Sequence, residues 1–371
     1  MSNDKNINNV LFVDPIANDI SHLIDDDCYL VECLVPLVSE FLVVTSSTSV
    51  ANLRMKLKTL HFATQVIEKY GLDYYFPRLR YFRIACNLHC SRFNHIIFQS
   101  FEEVSTLFFM LLHPHKCIHL IVTNNLRPDR IIRHPILGRF FLRAVFKRAT
   151  SVIVHSQYEL DKIRDLVPDI EPGKLFIKPF HQVAFHREIL SWQEKKRTIL
   201  FMGPESSHKK LQPVIDLIKC DKERRFRYLF CAMHENLDAK TRVFLDAQDN
   251  VELSYGYVED EKYYSLFSEV SFIILTHNLD FEGALSGIFC DAIASGTPII
   301  ARDMAPHNEF FNRFGPMGIL VNYEAPEWCK HVLNHNSLNK YEEFQHNMAK
   351  CRDSCNMEAI RGVFRVVLDL P

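Results

Sequence analysis

Short runs of apolar residues alternate along the chain with longer amphipathic stretches. Strand-like runs in the first half are Val10–Val13, Phe41–Thr45, His95–Phe101, His119–Thr123, Ser151–His155 and Leu175–Lys178. In the second half they are Thr198–Met202, Tyr228–Ala232, Val251–Tyr255, Val270–Thr276, Pro298–Ala301 and Ile319–Asn322. Most are continuously apolar rather than alternating, as expected of parallel strands buried on both faces. The stretches Glu102–Leu112, Ile136–Lys147, Tyr158–Leu166, Lys209–Lys219, Asp260–Phe267, Ser286–Ser295 and Met357–Leu368 suit helices. Strand–helix–strand repetition predicts doubly wound α/β sheets with right-handed crossovers. Twelve strands are many for one open sheet, so two Rossmann-like domains are expected. The boundaries are a first domain at 1–185, a second at 186–355 and a C-terminal helix at 356–371, with the polar segment His181–Lys196 as the joint. Ligands of open parallel sheets bind beyond the carboxyl ends of the strands, so residues just after strands are the ones to inspect.

The length of 371 residues and a composition of 47% hydrophobic and 24% charged residues agree with two soluble domains. The eleven cysteines include no CxxC pair and read as reduced, buried thiols of a cytoplasmic protein. The opening MSNDKNINNVLFVD lacks a basic stretch followed by an apolar one, so no signal peptide is expected. No run of ~18 apolar residues occurs, so no membrane span is expected. The net charge of −2 hides an asymmetry: residues 51–150 carry sixteen Lys/Arg against five Asp/Glu. This is either a solvated surface or a basic face for anionic lipid head groups or a diphosphate-bearing acceptor. No nucleic-acid motif accompanies the charge. No GxGxxG follows the first strand, where DPIAND stands instead, which argues against a dinucleotide-dependent dehydrogenase.

Four segments carry candidate chemistry. In Phe281–Pro298, FEGALSGIFCDAIASGTP, a strand ends, a loop bears Glu282 and Gly283, and Ser286 stands where it can cap a helix that Gly296 stops. The helix start at Ser286–Gly287 offers N–H groups and a positive dipole end for a diphosphate. Glu282 can bond sugar hydroxyls and Asp291 a ribose. By chemistry alone the segment also reads as an ordinary crossover with a surface glutamate. In Thr198–Ile218, a strand leads through Gly203 to a loop with Lys209 and Lys210. In His119–Arg130, a strand ends at Asn124 and Asn125, polar groups suited to a sugar hydroxyl or to starting a loop. In Ser151–Ile163, Ser156 is placed to cap a helix. No metal-ligand cluster is legible.

The segment Glu282-Gly283 followed by Asp291-Ala292-Ile293-Ala294-Ser295-Gly296-Thr297-Pro298 resembles the donor-site signature of the retaining glycosyltransferases of the GT-B fold, family 4 type (glycosyl transferases group 1). The strand–glycine–lysine element around Gly203 and Lys209 resembles the same family's diphosphate-holding element. Three departures stand out. The second acid is Asp where the family usually has Glu. The spacing is one residue longer, which puts Gly283 in the strict register of the first acid. Pro204 and Lys210 replace the family's arginine and glycine. The resemblance spans most of 119–323.

It implies an α/β GT-B fold, two facing Rossmann-like domains with parallel sheets and an interdomain cleft. It implies a hexosyltransferase-type enzyme that moves a sugar from a nucleotide-diphosphate donor, UDP- or GDP-linked, to a glycan or lipid-linked acceptor with retention. No cofactor or metal is implied beyond that co-substrate. Glu282 becomes the catalytic candidate. Lys209, Lys210, Gly203, Gly283, Ser286, Gly287, Asp291, Asn124 and Asn125 become donor-binding candidates. With the basic stretch, this points to surface polysaccharide assembly in the cytoplasm, peripheral on the inner membrane face. The departures leave a second reading, a non-catalytic GT-B protein that partners a glycosyltransferase.

Overall fold

The computed structural model describes residues 9–14, 21–67, 82, 86, 88, 90–123, 125–126, 136–180, 188–234, 237–335 and 337–370. They form two compact units, Met1–His181 with Asn356–Pro371, and Gln182–Cys355.

In the first unit, β1 (Asn9–Val13), β2 (Glu40–Ser46), β3 (Ala63–Ile67), β4 (His95–Phe98), β5 (Cys117–Ile121), β6 (Ser151–Val154) and β7 (Leu175–Ile177) form one sheet. Its order is β3-β2-β1-β4-β5-β6-β7, and neighbouring strands run parallel. The continuous apolar runs have the cause the pattern suggested. Leu11 and Val13 enter the core on one face, while Val10 and Phe12 enter the core on the other. The helix Met357–Val367 closes that second core with Ile360, Phe364 and Val367, so the end of the chain belongs to the first unit.

In the second unit, β8 (Lys196–Met202), β9 (Arg227–Met233), β10 (Val251–Tyr255), β11 (Val270–Leu275), β12 (Ile299–Arg302) and β13 (Gly318–Val321) pair in the order β10-β9-β8-β11-β12-β13, again parallel. In each sheet the strand order reverses once, between β1 and β4 and between β8 and β11. These are the places where helices leave in opposite directions and a crevice opens at the carboxyl ends.

The structure corrects the sequence reading in places. β3 is a half-exposed edge strand whose ATQVI has too little apolar character to stand out. The run His95–Phe101 leaves the sheet after Phe98: Gln99 N still donates to Val13 O at 3.0 Å, and Ser100 Oγ turns to Asp14. The helix expected from Lys209 starts only at Gln212, because Lys209 pairs backbone to backbone with His277. Helices Ser21–Leu34, Ser47–Lys56, Ala239–Asp246, His307–Phe314, Trp328–Asn334 and Leu338–Ser354 were not anticipated. Two of them begin at side-chain caps, Ser46 accepting from Ser49 N and Asp238 from Lys240 N and Thr241 N.

Candidate functional site

β8 and β11 are adjacent, so the loops leaving their carboxyl ends lie side by side at the switch point of the second sheet. They are stitched together. Lys210 N donates to Thr276 O at 3.2 Å and Asn278 N to His208 O at 2.8 Å. Asn278 Nδ2 adds a bond to Ser207 O at 3.0 Å, and Lys209 and His277 form the antiparallel bridge. Within the first loop, Lys209 N donates to Ser206 Oγ at 3.1 Å. The segments around Gly203 and Phe281–Pro298, far apart in sequence, thus form one platform.

Lys209 is buried in that platform. Its ammonium donates to Met202 O and lies 4.5 Å from the centroid of the Phe201 ring. Burial lowers its pKa to about 7. Gly203 stands beside it at a φ of +87°, a conformation that favours glycine, and a Cβ there would meet Lys209 Nζ in ordinary contact at 3.4 Å. Lys210, next in sequence, is exposed.

The second loop folds as a 3₁₀ turn over Leu279–Phe281, followed by Glu282 and a left-handed Gly283. Glu282 is half-buried. Gly283 N donates to Ala305 O at 3.0 Å, so its N–H is used by the segment that follows β12. His277, at the end of β11, is buried and stacks on Phe281 with centroids 4.1 Å apart. It accepts at its carbonyl from Arg302 Nε at 2.9 Å, and Arg302 in turn holds Glu324 with two bonds of 2.6 and 2.8 Å. Behind them His307 is fully buried, its pKa pulled down to about 4 by burial, so it stays neutral. None of His277, Arg302 and His307 was singled out in the sequence. His277 follows β11, Arg302 ends β12 and His307 opens the next helix, positions that only the folded sheet connects.

The helix Gly287–Ser295 starts at this platform. Ser286 occupies the capping position and is buried, but its side chain makes no capping bond. The helical ladder begins when Cys290 N reaches Ser286 O at 3.2 Å. The N–H groups of Gly287, Ile288 and Phe289 therefore precede it. Nothing described lies within 4 Å of where a Gly287 Cβ would sit. Asp291 lies a turn further on and accepts from Tyr263 OH at 2.6 Å. That partner is a second contact the sequence did not reveal.

The rest of the DAIASGTP run anchors the helix. Gly296 ends it in the left-handed conformation, Arg352 Nη1 donates to Ile293 O at 2.8 Å, and Gln345 Nε2 donates to Gly296 O at 3.2 Å. Lys195 Nζ donates to Thr297 Oγ1 at 2.6 Å, which donates onward to Phe267 O.

In the first unit, Asn124 lies outside the described residues. Asn125 is buried, and its amide donates to Phe101 O at 3.1 Å and Glu103 Oε1 at 3.3 Å, so it secures the loop after β5. Ser156 caps its helix, accepting from Glu159 N at 3.2 Å. The switch point of this sheet carries a polar group the sequence reading passed over. Ser100 Oγ donates to Asp14 Oδ1, and Asp27 is wholly buried beside them. Burial first, then the charges of Asp14 and Asp26 and a side-chain bond with Asp14, hold the Asp27 carboxyl well above the usual carboxylate range. Among the described residues no group of three or more His, Cys, Asp or Glu is placed to hold a metal ion. No described helix is long and apolar enough to cross a membrane.

No family model matches the chain, and no curated protein matches it. Solved structures do. HepE of Anabaena in complex with UDP-glucose superposes with a TM-score of 0.72 at 11% identity, over 98% of this chain and 100% of that one. A glycosyltransferase from Rickettsia africae gives 0.69 at 13% identity, over 98% and 99%. An α,α-trehalose-phosphate synthase (UDP-forming) from Burkholderia xenovorans, in complex with glucose-6-phosphate, gives 0.70 at 9% identity, over 97% and 99%. The fold is that of the GT-B glycosyltransferases, with each unit a parallel α/β sheet.

Proposed function

We propose that this chain is a glycosyltransferase that takes a sugar from a UDP- or GDP-linked donor and passes it to a glycan or lipid-linked acceptor with retention. Its setting in this reading is surface polysaccharide assembly, in the cytoplasm at the inner face of a membrane. The observation that supports the reading is the platform built by the loops after β8 and β11, which joins Lys209 to His277 a few residues ahead of Glu282 and the helix start at Ser286–Gly287. The solved complexes of HepE with UDP and with UDP-glucose, which have the same fold, support a nucleotide sugar as the ligand.

In this reading the N–H groups of Gly287 and Ile288 at the helix start and the helix dipole take the diphosphate. Lys209 swings from Met202 O to the phosphates and regains its proton, with Lys210 beside it. Gly203 and Gly283 keep the backbone close enough for contact. Glu282 orients the sugar. Asp291, held by Tyr263, receives the ribose. In transfer, the bond between the anomeric carbon and the diphosphate oxygen breaks and the acceptor oxygen bonds the same face of that carbon. The acceptor proton goes to the departing phosphate. The protein's contribution is stabilisation of the leaving charge.

Two observations favour a second reading, a non-catalytic GT-B protein. The Lys209 ammonium is already bonded to Met202 O, and Pro204 stands where the family has an arginine. Thermal shift with UDP, GDP and their sugars, followed by assay of nucleotide release, separates the two. Binding with slow hydrolysis or transfer of the sugar supports the enzyme. Binding without any turnover supports the partner protein, and no binding removes the transferase reading.

A further inference from the structure

We propose that the outer face of the helix Leu137–Arg148 is a docking surface for an anionic lipid bilayer. The inference rests on the membrane-side part of the reading above and is independent of the transfer chemistry. The helix follows β5 in the first sheet and buries Leu142, Val145 and Phe146 on its inner side. Its outer side differs from the charged face expected of a water-facing helix. Ile136, at the capping position, is 82% exposed, Leu137 66% and Phe140 63%. Ile136, Arg139, Phe140, Arg143 and Lys147 stand at i, i+3, i+4, i+7 and i+11, a single stripe in which apolar side chains and cations interleave.

The helix carries Arg139, Arg143, Lys147 and Arg148 and no acid. Among the described residues the acid paired with this helix is Asp169, bonded to Lys147 at 2.5 Å near the helix end and within the field of Arg143. The helix Glu103–Leu112 packs against this one and adds exposed Phe108, Leu111 and Leu112.

Charge decides the occupant. A two-fold contact with a second copy would set this basic stripe against itself, and like charges at an interface repel. A bilayer with anionic head groups satisfies both components. The arginines pair with phosphate while Phe140, Leu137 and Ile136 enter the boundary of the acyl region. Each Arg or Lys close to such a surface is worth about fivefold in partitioning. The interleaving places aliphatic and aromatic groups between the charges, as in helices that lie in the membrane plane.

The test is co-sedimentation of the full chain with vesicles of phosphatidylcholine alone and of phosphatidylcholine with phosphatidylglycerol at 7:3, in low and high salt. Binding is expected to the anionic vesicles only, weakened several-fold by salt. The double variant Ile136→Ser/Phe140→Ser is expected to lose about tenfold in partitioning. The double variant Arg139→Gln/Arg143→Gln is expected to lose about twenty-fivefold and to show a shallower salt dependence. An unchanged thermal unfolding midpoint checks that each is folded. Hydrogen exchange of the wild-type chain on the same vesicles gives a reading that needs no variant, with protection expected across Ile136–Arg148. The proposal is overturned by absence of binding to anionic vesicles, by protection confined to other segments, or by a wild-type dimer that either double variant dissociates. Nucleotide binding is read separately, so a failed donor site and a failed membrane face are told apart.

Discussion

Lys209 makes the proposed donor site measurable through pH. Its side chain is almost wholly buried, its ammonium is held by Met202 O and Phe201, and burial has brought its pKa to about 7, against ~10.4 for a free lysine. A diphosphate arriving beside it favours the charged form and raises the pKa again. Binding then takes up a proton wherever the free protein has lost it, and affinity falls as pH rises past 7. Between pH 6 and pH 8.5 the charged fraction of a group with a pKa of about 7 falls from ~0.91 to ~0.03. That is about thirtyfold, or ~2 kcal/mol. A hydrogen bond to a charged group contributes ~1.5–3 kcal/mol, so the contact is strong enough for most of the fall to appear. UDP-glucose suits the assay, because both its phosphates are already esterified and do not titrate in this range. Calorimetric titration at several pH values, in buffers of differing ionisation enthalpy, gives both affinity and proton uptake. The wild-type Kd is expected to rise about thirtyfold over the range, with proton uptake approaching one above pH 8. Lys209→Met is expected to bind about thirtyfold more weakly at pH 6 and to show little slope. A wild-type affinity independent of pH, or a variant that keeps the slope, refutes the reasoning.

Glu282→Ala is expected to lower kcat by about a hundredfold or more through lost positioning, whereas Asp291→Ala acts mainly on KM for the donor; steady-state kinetics with both at wild-type level would remove the assignment. Gly296→Ala forces a side chain into φ +65° with its Cβ 2.6 Å from Ile189 Cγ2, and urea unfolding of the second unit should show a loss of ~1–3 kcal/mol, a change near zero contradicting the packing. Asp27 has a folded pKa raised above the unfolded ~3.9, so the stability it contributes is present at low pH and lost as pH climbs through the raised value. Asp27→Asn removes that loss, so its stability relative to wild type is expected to improve from about pH 4 upward, and a gap constant with pH would contradict the buried, protonated state.

The two sheets were legible because strands buried on both faces must be continuously apolar. Val10–Val13 and Val270–Leu275 announce themselves in that way. β3 did not, since an edge strand needs no such run and Thr64 and Gln65 dilute it. The helix at Gly287–Ser295 was legible from its punctuation, Ser286 before and Gly296 after. The capping bond expected of Ser286 is not made, and no local pattern could reveal that. Lys209 was placed on a helix because its neighbours are amphipathic, but a pairing with His277, sixty-eight residues away, takes it into a bridge. Separation in sequence likewise hid His277, Arg302 and Tyr263. Each acquires meaning only when the parallel sheet brings its strand end or helix beside Phe281–Pro298. Asn125 shows the converse. A strand-end asparagine has the chemistry for a sugar hydroxyl, yet here its amide is used by Phe101 and Glu103.

Hydrogen exchange in the presence of saturating UDP or GDP tests most directly whether the platform between β8 and β11 is a nucleotide-sugar site. Slowed exchange is expected in 203–211 and in 276–290, where the stitched loops and the start of the helix Gly287–Ser295 meet the diphosphate, with little change at the amino ends of the same strands. No protection with either nucleotide, or protection confined to other segments, would contradict the account.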